Sequence, residues 1–246
     1  MASGSGDEGP APVGVDQVAV VGALAEPTRR SLYERVVELD GWVSRDQAAD
    51  AVGLPRATAA HHLHRLVEAG LLEVTFRRLT DRSGPGAGRP AKLYRRAGRE
   101  VAVSLPPRDY GLAAELLARA VLAAGGGGGE VLGAVREVAA AEGRVVAEEM
   151  RGRCAGSGPG SDGPEARREV VVEVLGGHGY QPVVQEGMVL LRNCPFHRLS
   201  RRYRELVCGM NVDLLASAVD GFGGTGLSAR LDPREGYCCV TLAPAS

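Results

Sequence analysis

Residues 43–74 read VSRDQAADAVGLPRATAAHHLHRLVEAGLLEV, and this stretch predicts the fold of the amino-terminal part of the chain. Ser44 is a suitable N-cap for the first of two short helices, and Gly53 is a suitable end for it. Pro55 suits the first turn of the second helix, which Gly70 ends. An apolar strand follows, and a second strand lies beyond a Gly- and Pro-rich loop. Two short helices, a tight turn and a strand pair are typical of a winged helix-turn-helix.

The second helix of this stretch has one apolar face and one polar face. At 100° per residue its alanines, leucines and Val67 fall on one side, and threonine, histidine and arginine fall opposite. Such a surface suits the major groove of DNA, where Arg pairs with guanine edges and Thr meets bases or the thymine methyl. The predicted DNA contacts of this helix are Arg56, Thr58, His61, His62 and Arg65. One alternative is that this face is merely solvated. Another is a metal site at the three histidines, although no nearby Cys or carboxylate completes such a site.

Charge is distributed unevenly along the chain. The whole chain has a formal net charge of −1. Residues 56–99 carry ten basic side chains against three acidic ones, a net charge of +7. This asymmetry is the expected electrostatic footprint of a nucleic-acid surface, and a flexible basic wing can reach phosphates or a narrow minor groove. The wing residues predicted to do so are Arg77, Arg78, Arg89 and Lys92. Arg89, between Gly88 and Pro90, is the candidate for insertion into the minor groove.

Composition divides the chain into five parts, because Gly- and Pro-rich stretches interrupt the apolar ones. The parts are a disordered tail over 1–14, a winged helix-turn-helix DNA-binding domain over 15–100, a helical linker and dimerisation region over 101–151, a flexible linker over 152–164, and a cysteine-containing α+β domain over 165–246. The first helical stretch is predicted over 15–39. The predicted fold class is therefore α+β, with an N-terminal winged helix-turn-helix, a helical dimerisation linker and a small C-terminal α+β sensor-like domain.

Two predicted helices carry stripes of mainly apolar residues. The first stripe comprises Leu112, Leu116, Leu117, Ala120 and Val121, and the second comprises Val131, Val135, Val138, Glu142 and Val145. A winged helix reads only a short half-site, so we expect a homodimer that binds a palindromic operator in double-stranded DNA. The alternative is that both stripes pack within the protomer.

Several classes of protein are disfavoured by what the sequence lacks. No run of 18 apolar residues predicts a spanning helix, and the amino terminus lacks the pattern of a signal peptide, so no membrane partner is expected. Five unevenly placed cysteines without a secretion signal favour a reducing cytosol, which predicts a cytoplasmic protein. No phosphate loop, G-x-S-x-G or H-E-x-x-H motif is present. The protein is therefore predicted not to be an enzyme; the remote alternative uses Cys194 or Cys208 as nucleophile and His197 as base.

Three amino-terminal segments resemble the ArsR-like winged-helix regulators: ALAEPTRRSLYERV at 23–36, RATAAHHLHRLVEAGLLEV at 56–74 and GPGAGRPAKLYR at 84–95. In particular they resemble the branch that contains the Suf-operon repressors, which control genes for iron–sulfur cluster assembly. The segments NCPFHRLSRRYRELVCGMNVDLLASAVDGF at 193–222 and ARLDPREGYCCVTL at 229–242 extend the resemblance towards the carboxy terminus. The resemblance implies a transcription regulator that senses cluster status.

The resemblance also implies that cysteines of the last segments bind a [4Fe–4S] cluster, with four cysteines at intervals of about a dozen residues. Cys194 and Cys208 match this pattern, but DGFGGTG at 220–226 stands where the next cysteine is expected. The predicted ligands are Cys194, Cys208 and Cys238, with His197 as a candidate fourth ligand. Cys154 or an exogenous thiol are the other candidates for that position.

Alternatives to the cluster remain open at this point. The C-x-x-H spacing of Cys194 and His197 also suits zinc, and the cysteines also suit a buried core. Because adjacent residues of a strand point to opposite faces, Cys239 is expected to face the core, away from the site of Cys238. The predicted function is a sequence-specific regulator that senses iron–sulfur cluster or redox status. The alternative is a cluster-free winged-helix regulator that responds to a small-molecule ligand.

Overall fold

The computed structural model describes residues 17–77, 90–125, 131–155 and 163–245. The chain separates into two units between Val103 and Ser104, and each unit has its own hydrophobic core. None of the helices in the described ranges is long and apolar enough to cross a membrane.

The amino-terminal unit is built from four helices and a small antiparallel sheet. Its elements are α1 (Gln17–Ala23), α2 (Pro27–Glu38), β1 (Val43–Ser44), α3 (Arg45–Val52), α4 (Arg56–Glu68), β2 (Leu72–Arg77) and β3 (Ala91–Arg96). The strand order is β1-β3-β2, and both pairings are antiparallel. The two predicted helices and the strand pair are therefore present. Arg78 and Arg89, which were predicted to bind DNA from the wing, lie outside the described residues.

The predicted helix over 15–39 is divided into α1 and α2. Pro27 opens α2, because proline has no backbone N–H to donate and restricts the residue before it to extended conformations. The Glu26 carboxylate accepts hydrogen bonds from the backbone N–H groups of Thr28, at 3.0 Å, and Arg29, at 2.7 Å. Burial opposes the charge of Glu26, but these hydrogen bonds prevail and lower the pKa of Glu26 to about 2.

The helix pair α3 and α4 follows the sequence closely. Ser44 caps α3 in a capping box with Gln47, and Gly53 ends α3 in the left-handed conformation with φ of 71°. The apolar face of α4 is buried, including Leu63 and Leu66, which are fully inaccessible. Packing of this face leaves the opposite, polar face of α4 open to solvent.

The carboxy-terminal unit combines helices with a four-stranded antiparallel sheet. Its elements are α5 (Tyr110–Ala124), α6 (Val131–Ala155), α7 (Pro164–Gly177), β4 (Pro182–Gln185), β5 (Met188–Leu191), α8 (His197–Arg202), α9 (Arg204–Phe222), β6 (Leu227–Leu231) and β7 (Val240–Pro244). The strand order is β4-β5-β7-β6.

Helices α5 and α6 fall within the predicted helical region over 101–151, whose role as a dimerisation linker stays a prediction. Helices α5 and α6 share one core with α7, α9 and the sheet. In the predicted stripes Leu116 and Ala120 are fully buried and Val135 is 3% exposed, whereas Val121, Val131 and Val145 remain exposed. Both stripes are therefore covered in part within the protomer and left open in part.

Helices α6 and α9 approach each other closely at Gly143. A Cβ atom at Gly143 would lie inside van der Waals contact with the Leu214 carbonyl oxygen, and 3.0 Å from the Ala218 backbone nitrogen. Gly221 on α9 similarly brings its backbone close to Ala147 on α6. These glycines allow backbone contact between the two helices, which positions α9 and the cysteine that it carries.

Candidate functional site

A groove of about 640 Å³ runs between the exposed face of α4 and strand β3. His61 and His64 line it from α4, and Lys92 lines it from β3. Arg45, at the start of α3, adds a further positive charge. Two of the predicted DNA-binding residues, His61 and Lys92, therefore meet at one groove, and Thr58 lies exposed on the same helix.

The two predicted arginines of α4 are exposed and form weak ion pairs. Arg65 Nη1 lies 3.1 Å from Glu68 Oε2, and the Arg65 hydrogen bond lowers the pKa of Glu68. Arg56 Nε lies 3.3 Å from Asp46 Oδ1. Because exposed ion pairs typically contribute only about 0–1 kcal/mol, both guanidinium groups are available to exchange these partners for DNA.

His62 lies at the edge of the buried face of α4, and its predicted contact with DNA stays a prediction. Its side chain is only 17% exposed, and its Nδ1 lies 3.5 Å from Glu26 Oε2 at the start of α2. His62 follows Ala59 by three residues and precedes Leu66 by four, and both of these neighbours are fully buried. Helical spacing therefore turns His62 towards the core edge and away from His61.

The base of the wing is organised around Trp42, the single tryptophan of the chain. The guanidinium carbons of Arg77 and Arg95 lie 5.3 Å and 4.5 Å from the centroid of the Trp42 ring, which is cation–π geometry. Arg95 also donates to Glu73 Oε2 at 2.7 Å. Arg99 donates to the Ala69 carbonyl oxygen at 2.5 Å. The positive charge of residues 56–99 thus includes arginines with structural partners as well as exposed ones.

Four of the five cysteines lie together in the carboxy-terminal unit. Cys208 on α9 is bonded to Cys239, and their Cα atoms are 6.4 Å apart. Cys194 and Cys238 are free buried thiols, and each shifts the pKa of the other. Since Cys238 and Cys239 are consecutive, the bonded pair and the thiol pair occupy one place in the fold.

The expectation that Cys239 faces the core from a strand assumed that Cys238 and Cys239 lie in a strand, which they do not. Strand β7 begins only at Val240, and both cysteines lie in the bend before it. The Cys238 N–H donates to the Leu191 carbonyl oxygen at 2.7 Å, and the Cys239 carbonyl accepts from the Asp232 N–H at 2.9 Å. Cys238 is the residue that enters the core, with 4% exposure, while Cys239 is half-buried.

A chain of buried hydrogen bonds supports the thiol pair. The Tyr180 hydroxyl donates to Asn211 Oδ1 at 2.6 Å, and Asn211 Nδ2 donates to Cys238 Sγ at 3.5 Å. The hydrogen bond with Cys238 lowers the pKa of Cys194 to about 7, although burial opposes ionisation. The same interaction and burial raise the pKa of Cys238, so Cys194 is the first thiol of the pair to ionise as the pH rises.

The remaining ligand candidates are not part of this cysteine site. The His197 side chain is exposed on α8, whereas Cys194 is only 6% exposed. Cys154 lies half-buried near the end of α6 as a free thiol. The structure therefore offers no support for His197 as a fourth ligand or as a catalytic base for Cys194.

The cluster that the resemblance implies requires several side chains that can bind metal to lie close together. Within the described ranges, no group of three or more His, Cys, Asp or Glu side chains is arranged to hold a metal. Thiolates are the normal ligands of iron–sulfur clusters, but Cys208 and Cys239 are bonded to each other. The described residues therefore do not form a site that fits the implied cluster.

Residues 24–75 match a helix-turn-helix domain. Comparison with curated proteins and with solved structures finds no match. The matched range spans α2, α3, α4 and the start of β2. It includes the α3 and α4 residues that line the groove, whereas β3 lies outside it. The helix-turn-helix domain indicates a DNA-binding regulator.

Sequence reasoning missed Trp42, Asn211 and the inclusion of Cys239. Trp42 was recognisable as a lone aromatic beside two arginine-rich strands. Asn211 follows Cys208 by three residues, but the helix carries other polar residues, so the sequence did not distinguish it. The bend that brings Cys239 into the cysteine site has no pattern of its own in the sequence.

Proposed function

We propose that the protein is a sequence-specific, DNA-binding transcription regulator that acts as a cytoplasmic homodimer and senses iron–sulfur cluster or redox status through its carboxy-terminal unit. The observation that carries the DNA-binding part is the groove between α4 and β3 in a unit that contains a helix-turn-helix domain. The cysteine site supports the sensing part.

In this proposal α4 enters the major groove. Thr58, His61 and Arg65 face base edges, where Arg65 pairs with guanine. Lys92 and Arg77 contact phosphates, and the stacking of Arg77 on Trp42 holds its guanidinium in place. Arg78 and Arg89 extend the same contacts from the wing as predictions from the sequence.

The homodimer is supported by apolar side chains left uncovered near the end of α5 and along α6. Val121, Leu122, Val131, Leu132 and Val145 are 47–80% exposed. A second copy that covers them would bring two α4 helices to a palindromic operator. Light scattering at micromolar concentration is expected to give the mass of two chains, and the mass of one chain would refute the dimer.

The sensing role assigns Cys194, Cys208 and Cys238 as ligands. When bound, an iron–sulfur cluster supplies a redox-active centre. The chain itself contributes buried sulfurs on α9 and beside β5 and β7. A change in the oxidation state of these cysteines would therefore alter the packing of these elements. A change of DNA affinity between reduced and oxidised protein is the expected sign of this coupling.

A cluster-free regulator that binds a small anionic molecule is the second candidate function. A cleft of about 520 Å³ favours it, because Arg136, Arg202 and Arg204 surround an apolar floor that includes Val135 and Met210. Such a regulator would respond to a ligand in the absence of iron.

The DNA-binding proposal is tested with two matched arginine variants. An operator is first selected from a random duplex library. Arg65→Ala is then expected to reduce discrimination between operator and random DNA by about 1–3 kcal/mol. Arg35→Ala is the control, since Arg35 also forms an exposed ion pair with a glutamate three residues later, but lies on α2 outside the groove.

Phosphate contacts are tested by salt and by Lys92→Ala. Affinity should fall steeply as salt rises, because basic side chains release counterions from DNA. Lys92→Ala should weaken operator and random DNA about equally. Equal effects of Arg35→Ala and Arg65→Ala, or an affinity that does not change with salt, would contradict the proposed interface.

A further inference from the structure

We infer that the cleft between the start of α6 and the junction of α8 with α9 binds an amphiphilic anion, an organic molecule with an apolar body and one carboxylate or phosphate group. Arg136, Arg202 and Arg204 hold the anionic group, and the apolar floor of the cleft covers the body. This inference deepens the second candidate function, on which it rests for its purpose, whereas binding itself is tested without DNA.

The cleft has the size and the apolar floor of a small-molecule site. Its volume of about 520 Å³ lies within the roughly 300–1,000 Å³ that is usual for ligand pockets. Val135 from α6 and Met210 from α9 belong to its floor, and they are only 3% and 1% exposed. Because methionine is flexible and polarizable, Met210 can adapt to apolar bodies of different shape.

The rim of the cleft carries an excess of positive charge. Three arginines line it, and Glu205 is the acidic side chain that lines it with them. Among the described residues, no carboxylate oxygen lies within 4.0 Å of Arg136, Arg202 or Arg204. Arg136 also acts on Asp213, where it opposes the rise in the carboxyl pKa that burial causes. Arg202 and Arg204 are therefore the principal groups for an anion.

The junction of α8 with α9 positions these two arginines. Helix α8 ends at Arg202 and α9 begins at Arg204, and Tyr203 between them has φ of −128° and ψ of 57°, which are not helical angles. The guanidinium carbon of Arg202 lies 5.8 Å from the centroid of the Tyr203 ring, which is cation–π geometry. Tyr203 lines the same cleft, so this contact holds the Arg202 charge at the rim.

Gly209 keeps the floor of the cleft open. It lies within α9, where glycine is less favourable than alanine. A Cβ atom at this position would meet no described atom within 4 Å, so packing does not require a glycine here, in contrast to Gly143. Because Gly209 lines the cleft, a larger side chain would stand in it. Gly152 on α6 is equally open to a Cβ atom but does not line the cleft.

The two parts of the lining define the ligand by its chemistry. Guanidinium groups pair with carboxylate or phosphate oxygens through parallel N–H bonds, and an apolar floor favours hydrocarbon over water. An inorganic anion would use only the rim, and a neutral hydrocarbon would use only the floor. Leu132 lines the cleft and also belongs to the exposed apolar set assigned to the dimer, so the ligand would lie beside that surface.

The experiment titrates the full chain with decanoate in a calorimeter. We expect one decanoate to bind per chain, and added salt to weaken binding because the rim is exposed. Decanol has the same hydrocarbon chain without the charge, and acetate has the same charge without the chain. Each should bind at least about 10-fold more weakly than decanoate. Decyl phosphate, with the other anionic group, should bind at the same site and compete with decanoate.

Two pairs of variants locate the site. Arg204→Gln should weaken decanoate binding by about 10-fold or more, whereas Arg201→Gln, an exposed neighbour on α8 that does not line the cleft, should bind like the wild type. Gly209→Leu should fill the cleft and abolish binding, whereas Gly152→Leu should not change it. Circular dichroism verifies that the variants are folded, and the arginine pair decides if Gly209→Leu is not.

Three results would overturn the inference: equal binding of decanol and decanoate, unchanged decanoate binding in Arg204→Gln, or binding to phosphatidylglycerol vesicles without binding of free decanoate. The last result would assign the cleft to a lipid surface. DNA affinity is measured on the same samples. A chain that binds DNA but not decanoate would refute the cleft alone, whereas decanoate binding that leaves DNA affinity unchanged would support the cleft and refute the ligand-responsive regulator.

Discussion

Replacement of Gly143 by alanine is expected to destabilise the carboxy-terminal unit, although alanine favours helices. The new Cβ would enter the contact between α6 and α9 and would meet the Leu214 carbonyl oxygen and the Ala218 nitrogen, which are backbone atoms. A side-chain rotation cannot relieve this clash, so the two helices must separate. Overpacking of this kind costs about 1–3 kcal/mol, and the upper part of the range applies when backbone must move.

The gain in helix propensity from glycine to alanine offsets about 1 kcal/mol of that cost. The expected net loss for Gly143→Ala is therefore about 2 kcal/mol. Gly152→Ala is the matched control on the same helix, because its Cβ would meet no atom of the described chain within 4 Å. That variant is expected to gain up to about 1 kcal/mol in the free energy of unfolding.

Thermal and urea unfolding, followed by the helical circular dichroism signal, measure both variants. The unfolding midpoint of Gly143→Ala should fall below that of the wild type, while that of Gly152→Ala should equal or exceed it. If Gly143→Ala is as stable as Gly152→Ala, then α6 and α9 do not pack by backbone contact at Gly143, and the reasoning fails.

Three further changes test hydrogen bonds of the two units. Because the folded pKa of Glu26 is depressed, its stabilising effect over Glu26→Gln should be full above pH 4.5 and should vanish as the pH falls to about 2, as urea denaturation will measure. Cys238→Ala should raise the pKa of Cys194 from about 7 towards 9.0, which the pH dependence of Cys194 alkylation reports; an unchanged profile would exclude the hydrogen bond as the cause. Tyr180→Phe should cost about 1–3 kcal/mol by leaving Asn211 Oδ1 without its buried donor, and a neutral effect in urea denaturation would contradict the network.

The elements of the amino-terminal unit were predictable because local interactions determine them. Ser44 and Gly53 start and end α3 through contacts within a few residues, and the period of the apolar residues in α4 identifies its buried face. The same period did not distinguish residues at the edge of the buried face of α4 from residues on its exposed face. His62 was therefore assigned to DNA, although Glu26, a residue distant in sequence, holds it at the edge.

The tertiary structure alone decided what covers the apolar stripes of α5 and α6. A stripe such as Leu116 and Ala120 requires a partner, but its pattern is the same whether that partner is a second chain or other helices of the same chain, such as α6. The choice depends on long-range packing, which composition and periodicity do not encode.

The sequence by itself determined the positions of Cys194, Cys208 and the consecutive pair Cys238 and Cys239, and the resemblance implied that they bind a cluster. Only the tertiary structure decided that Cys239 bonds to Cys208. In a strand, the side chains of Cys238 and Cys239 would point to opposite faces. Instead, the backbone of Cys238 bonds to Leu191 and that of Cys239 bonds to Asp232, and β7 begins only at Val240. These bonds connect residues that are distant in sequence, so the direction of each cysteine is determined by the folded sheet and not by the residues beside it.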